Sequence, residues 1–216
     1  MRTVAPGFRR NRQLVTGCED DEPTAPCAPQ GSNFVYLRTG PSHQSPLVAD
    51  VGLHPEGGPS TTAVWDIGAR AAAGHKFHIV KRVGSWSKVW YLGRRAWFYD
   101  PAGDRTSVPS RGQLVTPKAG LESVPVYGRA YPEASAYPAN IPYQEVVPLQ
   151  YEIRAGQHYV VADAHIETDY YYAKSFDDSL PGDHTEVEGG DRYYEIWFGH
   201  RMAYVRAADV DRIRVK

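Results

Sequence analysis

Between Trp86 and Pro101 the chain reads WSKVWYLGRRAWFYDP, two short runs of alternating aromatic and β-branched residues on either side of Gly93-Arg94-Arg95. Alternation at period two, interrupted by a tight glycine-containing turn, is the pattern of a β-hairpin. The same device returns as Tyr193-Tyr194-Glu195-Ile196-Trp197-Phe198, then Gly199-His200-Arg201-Met202, then Ala203-Tyr204-Val205. A hairpin that recurs within 216 residues restricts the chain to a repeated small β-unit.

Other segments answer one another in the same order. Ala73-Gly74-His75-Lys76-Phe77-His78-Ile79 is matched by Ala155-Gly156-Gln157-His158-Tyr159-Val160-Val161, and Leu37-Arg38-Thr39-Gly40-Pro41 more loosely by the stretch from Val126 to Pro132. Each unit carries a long insertion, Asp50 to Ser60 in the first and His165 to Asp191 in the second. No periodic stretch is long enough for a domain-spanning helix; Ala69 to Ala73 reads at most as one helical turn. The expectation is an all-β chain of two small barrels with long loop insertions, with a single irregular sandwich as the alternative. A flexible tail is expected over 1–31, with Gln13-Leu14-Val15 as its one short strand. The first barrel is placed at 32–102 and the second at 120–216. A Pro/Ser/Gly-rich linker is placed at 103–119, with Gln113 to Thr116 as an edge strand.

Composition narrows the function classes. A formal net charge of −1 gives no electrostatic case for nucleic acid or an anionic membrane, and no apolar run approaches the length of a membrane span. The first residues, MRTVAPGFRRNRQLV, are basic without an apolar h-region, as expected of an intracellular protein or of a piece of a longer chain. Fifteen Tyr against six Phe favours half-exposed sheet faces or a binding surface over a dry core.

Motifs for chemistry are sparse. Cys18 and Cys27 enclose the acidic loop CEDDEPTAPC, which is read either as a disulfide in an exported protein or as two unpaired thiols. His75 and His78 stand three apart in a strand pattern and so point to opposite faces, and no H-E-x-x-H pattern occurs; no metal site is expected. The carboxylates Asp177, Asp178, Asp183, Glu186, Glu188 and Asp191 lack the order of a calcium loop and read as a solvated insertion. No G-x-S-x-G or phosphate-binding glycine loop is present, and no cofactor is expected.

Tyr36-Leu37-Arg38-Thr39-Gly40-Pro41-Ser42, the strand opened by Gly74, Trp86-Ser87-Lys88-Val89 and the turn from Gly93 to Phe98 together resemble the bacterial SH3-like (SH3b) domain. The second unit matches best from Gly199 to Val205. Both units depart from the family pattern in having Ala96 and Ala203 where a glycine usually precedes the final aromatic residue. The arrangement, with its Cys18–Cys27 lead-in, resembles the C-terminal region of secreted actinobacterial N-acetylmuramoyl-L-alanine amidases. That resemblance implies an extracellular location at the cell wall, peptidoglycan as partner through its peptide portion more than its glycan, and a catalytic amidase domain in cis. This chain is then expected to be non-catalytic.

Aromatic residues are the candidates for contact with such a ligand: Tyr36, Trp86, Trp90, Tyr91, Trp97 and Tyr99 in the first unit, and Tyr127, Tyr131 and Tyr204 in the second. Alternation places Val89, Phe98 and Val205 inside, with Trp97 and Tyr204 on the other face. Aromatic grooves suit extended peptides and glycans. Two alternatives stand beside this reading: a structural spacer packing on a catalytic domain without a ligand of its own, and an enzyme with a site in the 165–191 insertion.

Overall fold

The computed structural model describes residues 11–14, 34–48, 69–101, 106–130, 148–173, 184–199 and 201–215, with no side-chain description over 165–191. Among these residues every regular element is a strand, so the chain is all-β. Cys18, Cys27, Tyr131 and the acidic cluster's side chains lie outside the described residues, as does the chemistry of the 165–191 insertion.

In the first unit β2 (Phe34–Tyr36) pairs with β3 (Arg70–Ala72). The alanine run is therefore a strand and not a helical turn, because Ala71 is buried and paired with Val35. β5 (Lys81–Val83), β6 (Trp86–Tyr91) and β7 (Arg94–Tyr99) form a three-stranded sheet in that order. A third sheet places β1 (Asn11–Leu14) between β4 (Lys76–His78) and β8 (Ser107–Ser110).

The second unit repeats this plan. β10 (Ser123–Pro125) pairs with β11 (Glu152–Arg154). A five-stranded sheet then runs in the order β14 (Met202–Arg206), β13 (His184–Trp197), β12 (Tyr159–Ala173), β9 (Gln113–Pro117), β15 (Val210–Arg214). The correspondence holds bond by bond. Arg38 and Trp97 exchange backbone hydrogen bonds of 2.8 and 2.8 Å, as Tyr127 and Tyr204 do at 2.9 and 2.8 Å. The Val48 amide donates to Leu37 and the Leu149 amide to Val126. Val89 pairs with Ala96 as Ile196 pairs with Ala203. Gly74 and Gly156, both at positive φ, turn the chain after β3 and β11. The insertion after residue 164 is an extension of the β12–β13 ribbon, paired from Ile166↔Tyr193 out to Ala173↔His184.

Two boundary expectations are corrected. Residues 11–14 are no tail, since β1 is the central strand of its sheet and buries Asn11 and Leu14. Residues 106–119 are no linker, since β8 closes the first unit's sheet and β9 sits inside the second unit's, with neighbours on both sides. Apolar spacing explains the second case: Leu114, Val115 and Pro117 are all buried, as in a strand covered on both faces.

The two units share one hydrophobic cluster that runs from Leu14, Val35 and Phe98 through Tyr91 and Leu92 to Tyr159, Phe198 and Val205. Its hinge point is the tip of the first hairpin. The turn is Leu92-Gly93 and not Gly93-Arg94-Arg95, because Tyr91 pairs with Arg94 and both central residues have positive φ, 48° and 75°. That is type I′ geometry, which favours Asn or Gly at the first position. Leu92 occupies it because its side chain is buried against the second unit: it is 4% exposed, and a Cβ on Gly199 would stand 3.0 Å from its Cγ and Cδ2. The Leu92 amide donates to the Phe198 carbonyl at 2.8 Å, the Gly93 amide to the Tyr159 hydroxyl at 2.8 Å, and Gln157 Nε2 to the Gly93 carbonyl at 2.8 Å. Burial pushes the Tyr159 hydroxyl well above the ordinary tyrosine range, so it stays a neutral hydrogen-bonding group.

Candidate ligand-binding face

Strand alternation divides the first hairpin. Ser87, Val89 and Tyr91 of β6 and Ala96 and Phe98 of β7 face the interior and are buried. Trp86, Lys88 and Trp90 stand opposite Tyr99, Trp97 and Arg95 respectively on the outer face, and Lys81 of β5 lies opposite Lys88. Three cross-strand rows result, each built from an aromatic ring with a second ring or a cation.

The first row is a ring cluster. Trp86 and Tyr99 meet edge-on at 5.5 Å between centroids, and His43 packs on both, at 4.8 and 4.9 Å. The turn from Ser42 to Ser45 brings His43 there. In the second row Lys88 Nζ sits 5.8 Å from the Trp97 ring centre, and in the third the Arg95 guanidinium sits 5.9 Å from that of Trp90. These are cation–π distances. Lys88, Lys81 and Arg95 are not joined to a carboxylate among the described residues. Partial burial, then Arg95, then Lys81 hold the Lys88 ammonium below the ordinary lysine range. The face thus carries uncompensated positive charge set among indole rings, an environment complementary to carboxylates attached to a flat or apolar framework.

Beneath the face, Asp100 is 1% exposed and fully satisfied. Its carboxylate accepts from Ser87 Oγ and Ser107 Oγ, each at 2.7 Å, and pairs with Arg82. Both carboxylate oxygens are used in bracing β5, β6 and β8, so Asp100 is a structural group.

The predicted aromatic residues divide by burial. Trp86, Trp90, Trp97 and Tyr99 share the outer face, with Trp90 and Tyr99 the more open and Trp86 and Trp97 each 9% exposed. Tyr91 is corrected to a core residue: it is 0% exposed, and its hydroxyl donates to the Arg70 carbonyl at 3.1 Å. Tyr127, 5% exposed, packs edge-on against Tyr193 at 5.8 Å and so offers no ligand surface. Tyr36 stands apart, beside Phe34 and under the Arg70 guanidinium. Tyr204 lies on the equivalent face of the second unit and donates to Glu195 Oε1 at 2.9 Å. Val89, Phe98 and Val205 are interior, as alternation requires. The aromatic pattern of the sequence alone does not single out His43, Lys81, Lys88 and Arg95. The cations were legible there, since Lys88 and Arg95 alternate with the tryptophans; His43 reaches the cluster only through the fold.

A cavity of about 540 Å³ opens at the hairpin tip between the units, walled by Leu92, Arg94, Pro125, Leu149, Tyr151 and Glu152. A hydrogen bond from Ser123, then Arg154, holds the Glu152 carboxyl below the ordinary range, and Arg154 Nε lies 2.6 Å from Glu152 Oε1. The histidines His75 and His78 diverge: His75 packs on Trp197 at 5.2 Å, whereas His78 Nδ1 lies 3.0 Å from Asn11 Oδ1. Among the described residues no three His, Cys, Asp or Glu side chains cluster as metal ligands, and no helix is long and apolar enough to cross a membrane.

No family model matches the chain, and no curated protein matches it.

Proposed function

We propose that this chain is a non-catalytic module that binds the peptide portion of bacterial peptidoglycan through the outer face of β5–β7. In this reading it holds an attached peptidoglycan amidase at the cell wall. The observation that carries the reading is the convergence of Lys81, Lys88 and Arg95 among Trp86, Trp90 and Trp97 with no acid paired to them among the described residues. Such a face costs stability through like-charge repulsion, and a carboxylate-bearing peptide removes that cost. The SH3-like resemblance of Tyr36 to Ser42 and Trp86 to Phe98 supports the same reading. Tethering then acts through effective concentration: a weak module linked to a hydrolase keeps it near its substrate.

The expected result is that the purified chain co-sediments with Gram-positive cell walls and releases no soluble muropeptides. Muropeptide release by the metal-loaded protein overturns the non-catalytic assignment. A second reading, a spacer that binds nothing, draws on the burial of Trp86, Trp97 and Tyr127 in packing. A spacer stays in the supernatant of the same assay.

A further inference from the structure

The repeat allows the outer faces of the two units to be compared position by position. In the first unit Lys81, Lys88 and Trp97 form one continuous row across β5, β6 and β7. In the second, Asp163, Glu195 and Tyr204 form one continuous row across β12, β13 and β14. The rows occupy the same place in the plan. Lys88 and Glu195 each precede the residue paired to the equivalently placed alanine (Val89↔Ala96, Ile196↔Ala203), and Trp97 and Tyr204 each make the backbone bridge, to Arg38 and to Tyr127. The aromatic residue is kept while both charges are reversed.

Both rows reach the surface. Lys81 and Asp163 are exposed, and Lys88, Glu195 and Tyr204 are partly so. The two rows differ inside: in the first, Lys81 is among the groups that depress the Lys88 ammonium, whereas in the second the Tyr204 hydroxyl donates to Glu195 at 2.9 Å and is raised by burial first, then by that hydrogen bond and the nearby carboxylates. Two rows of opposite charge at equivalent places in the two sheets are complementary in sign to each other. One molecule thus carries both halves of a contact at different places on its surface.

We infer that copies of this chain associate head to tail, the Lys81–Lys88–Trp97 row of one copy docking on the Asp163–Glu195–Tyr204 row of the next. The contact is heterologous, so it extends into chains or closes into rings and does not stop at a two-fold dimer. It is mainly electrostatic and hence sensitive to salt. It stands independently of the cell-wall reading, although it occupies the first unit's face and competes with any ligand bound there.

Sedimentation velocity on the full chain at low ionic strength tests the inference. The wild type is expected to show a sedimentation coefficient that rises with protein concentration and returns to the monomer value at about 1 M salt, where the screening length is about 3 Å. The double variant K81E/K88E makes both rows acidic, and D163K/E195K makes both basic. Each alone is expected to remain monomeric, and an equimolar mixture of the two is expected to associate again. The restored association rules out misfolding as the cause of the loss. A wild type that is monomeric at every concentration overturns the inference, and so does a variant that associates as the wild type does. A mixture that stays monomeric while both variants keep the wild-type far-UV circular dichroism overturns it as well. Monomeric wild type that instead binds an oligolysine peptide, with binding lost in D163K/E195K, assigns the acidic row to cationic peptides and also overturns it.

Discussion

Leu92 is the residue at which the architecture is most sharply testable, because two physical terms of opposite sign meet there. Its φ of 48° lies in the left-handed region, which for a residue with a Cβ costs roughly 1–2 kcal/mol. Its side chain is 4% exposed and packed against Gly199 in the second unit. Truncating such a leucine to alanine removes the packing and keeps the strain, for an expected loss of about 2–5 kcal/mol. Truncating it to glycine removes the packing and relieves the strain. In an ordinary core position Leu→Gly is worse than Leu→Ala. Here the order is expected to reverse: Leu92→Gly should be more stable than Leu92→Ala by about 1 kcal/mol. For a chain of this size that difference is roughly 2–4 °C in Tm. Urea unfolding followed by tryptophan fluorescence, with the slope unchanged between variants, measures it directly. A Leu92→Ala variant within about 0.5 kcal/mol of wild type shows that the tip is not an anchor between the units. A glycine variant no more stable than the alanine variant shows that the left-handed turn is not strained.

Three further perturbations bear on the same seam and on the ligand face. Gly93→Ala places a Cβ 2.7 Å from the Glu152 carbonyl oxygen at a φ of 75°, and a loss of about 2–3 kcal/mol in the same unfolding experiment is expected. Tyr159→Phe leaves the Gly93 amide without its 2.8 Å acceptor; a loss of about 1–3 kcal/mol and faster hydrogen exchange at Gly93 are expected. Lys88→Gln removes a self-repelling charge, so denaturant stability is expected to stay equal or rise slightly while affinity for cell-wall peptide falls. The pH sign follows from the depressed Lys88 ammonium. The folded wild type binds fewer protons than the unfolded chain between the lowered value and the ordinary lysine value, so stability rises with pH through that window. That rise is expected to be absent in Lys88→Gln and is read from denaturation midpoints across alkaline pH.

The repeat was legible because hairpins advertise themselves locally. Alternation, the Ala-Gly turn and the aromatic pairs placed Val89, Phe98 and Val205 inside without any knowledge of long-range contacts. What escaped were the elements whose partners are remote in sequence. Gln13-Leu14-Val15-Thr16 and Gln113-Leu114-Val115-Thr116 are identical, a hint that each unit opens with the same kind of strand. Neither looks like an interior strand until its neighbours on both sides are known, and the copies are not in equivalent register: Leu14 faces Ser107 at the start of β8, whereas Leu114 faces Ile213 in β15. By sequence pattern Tyr91 belongs with the surface aromatics, because its polar tip is compatible with exposure. Its pairing with Arg94 and its bond to the Arg70 carbonyl place it inside. The turn slipped by a residue for a similar reason. Leu92 is a poor local choice for a type I′ position, and only the second unit, which buries it, makes the choice favourable. The charge reversal between the units is written plainly in the sequence, but it becomes visible only when both hairpins are set in register.

The claim that the outer face of β5–β7 receives carboxylate-bearing wall peptide is tested most directly by the tryptophan indole signals in a ¹H–¹⁵N spectrum. Soluble peptidoglycan stem peptide is titrated into labelled protein, with the five indole resonances assigned by single Trp→Phe variants. The indole of Trp90 and then that of Trp97 are expected to shift in a saturable way. The indole of Trp197, which lies in the second unit and packs on His75 of the first, is expected to stay in place. A titration that moves the Trp197 indole and leaves those of Trp86, Trp90 and Trp97 unmoved contradicts the account.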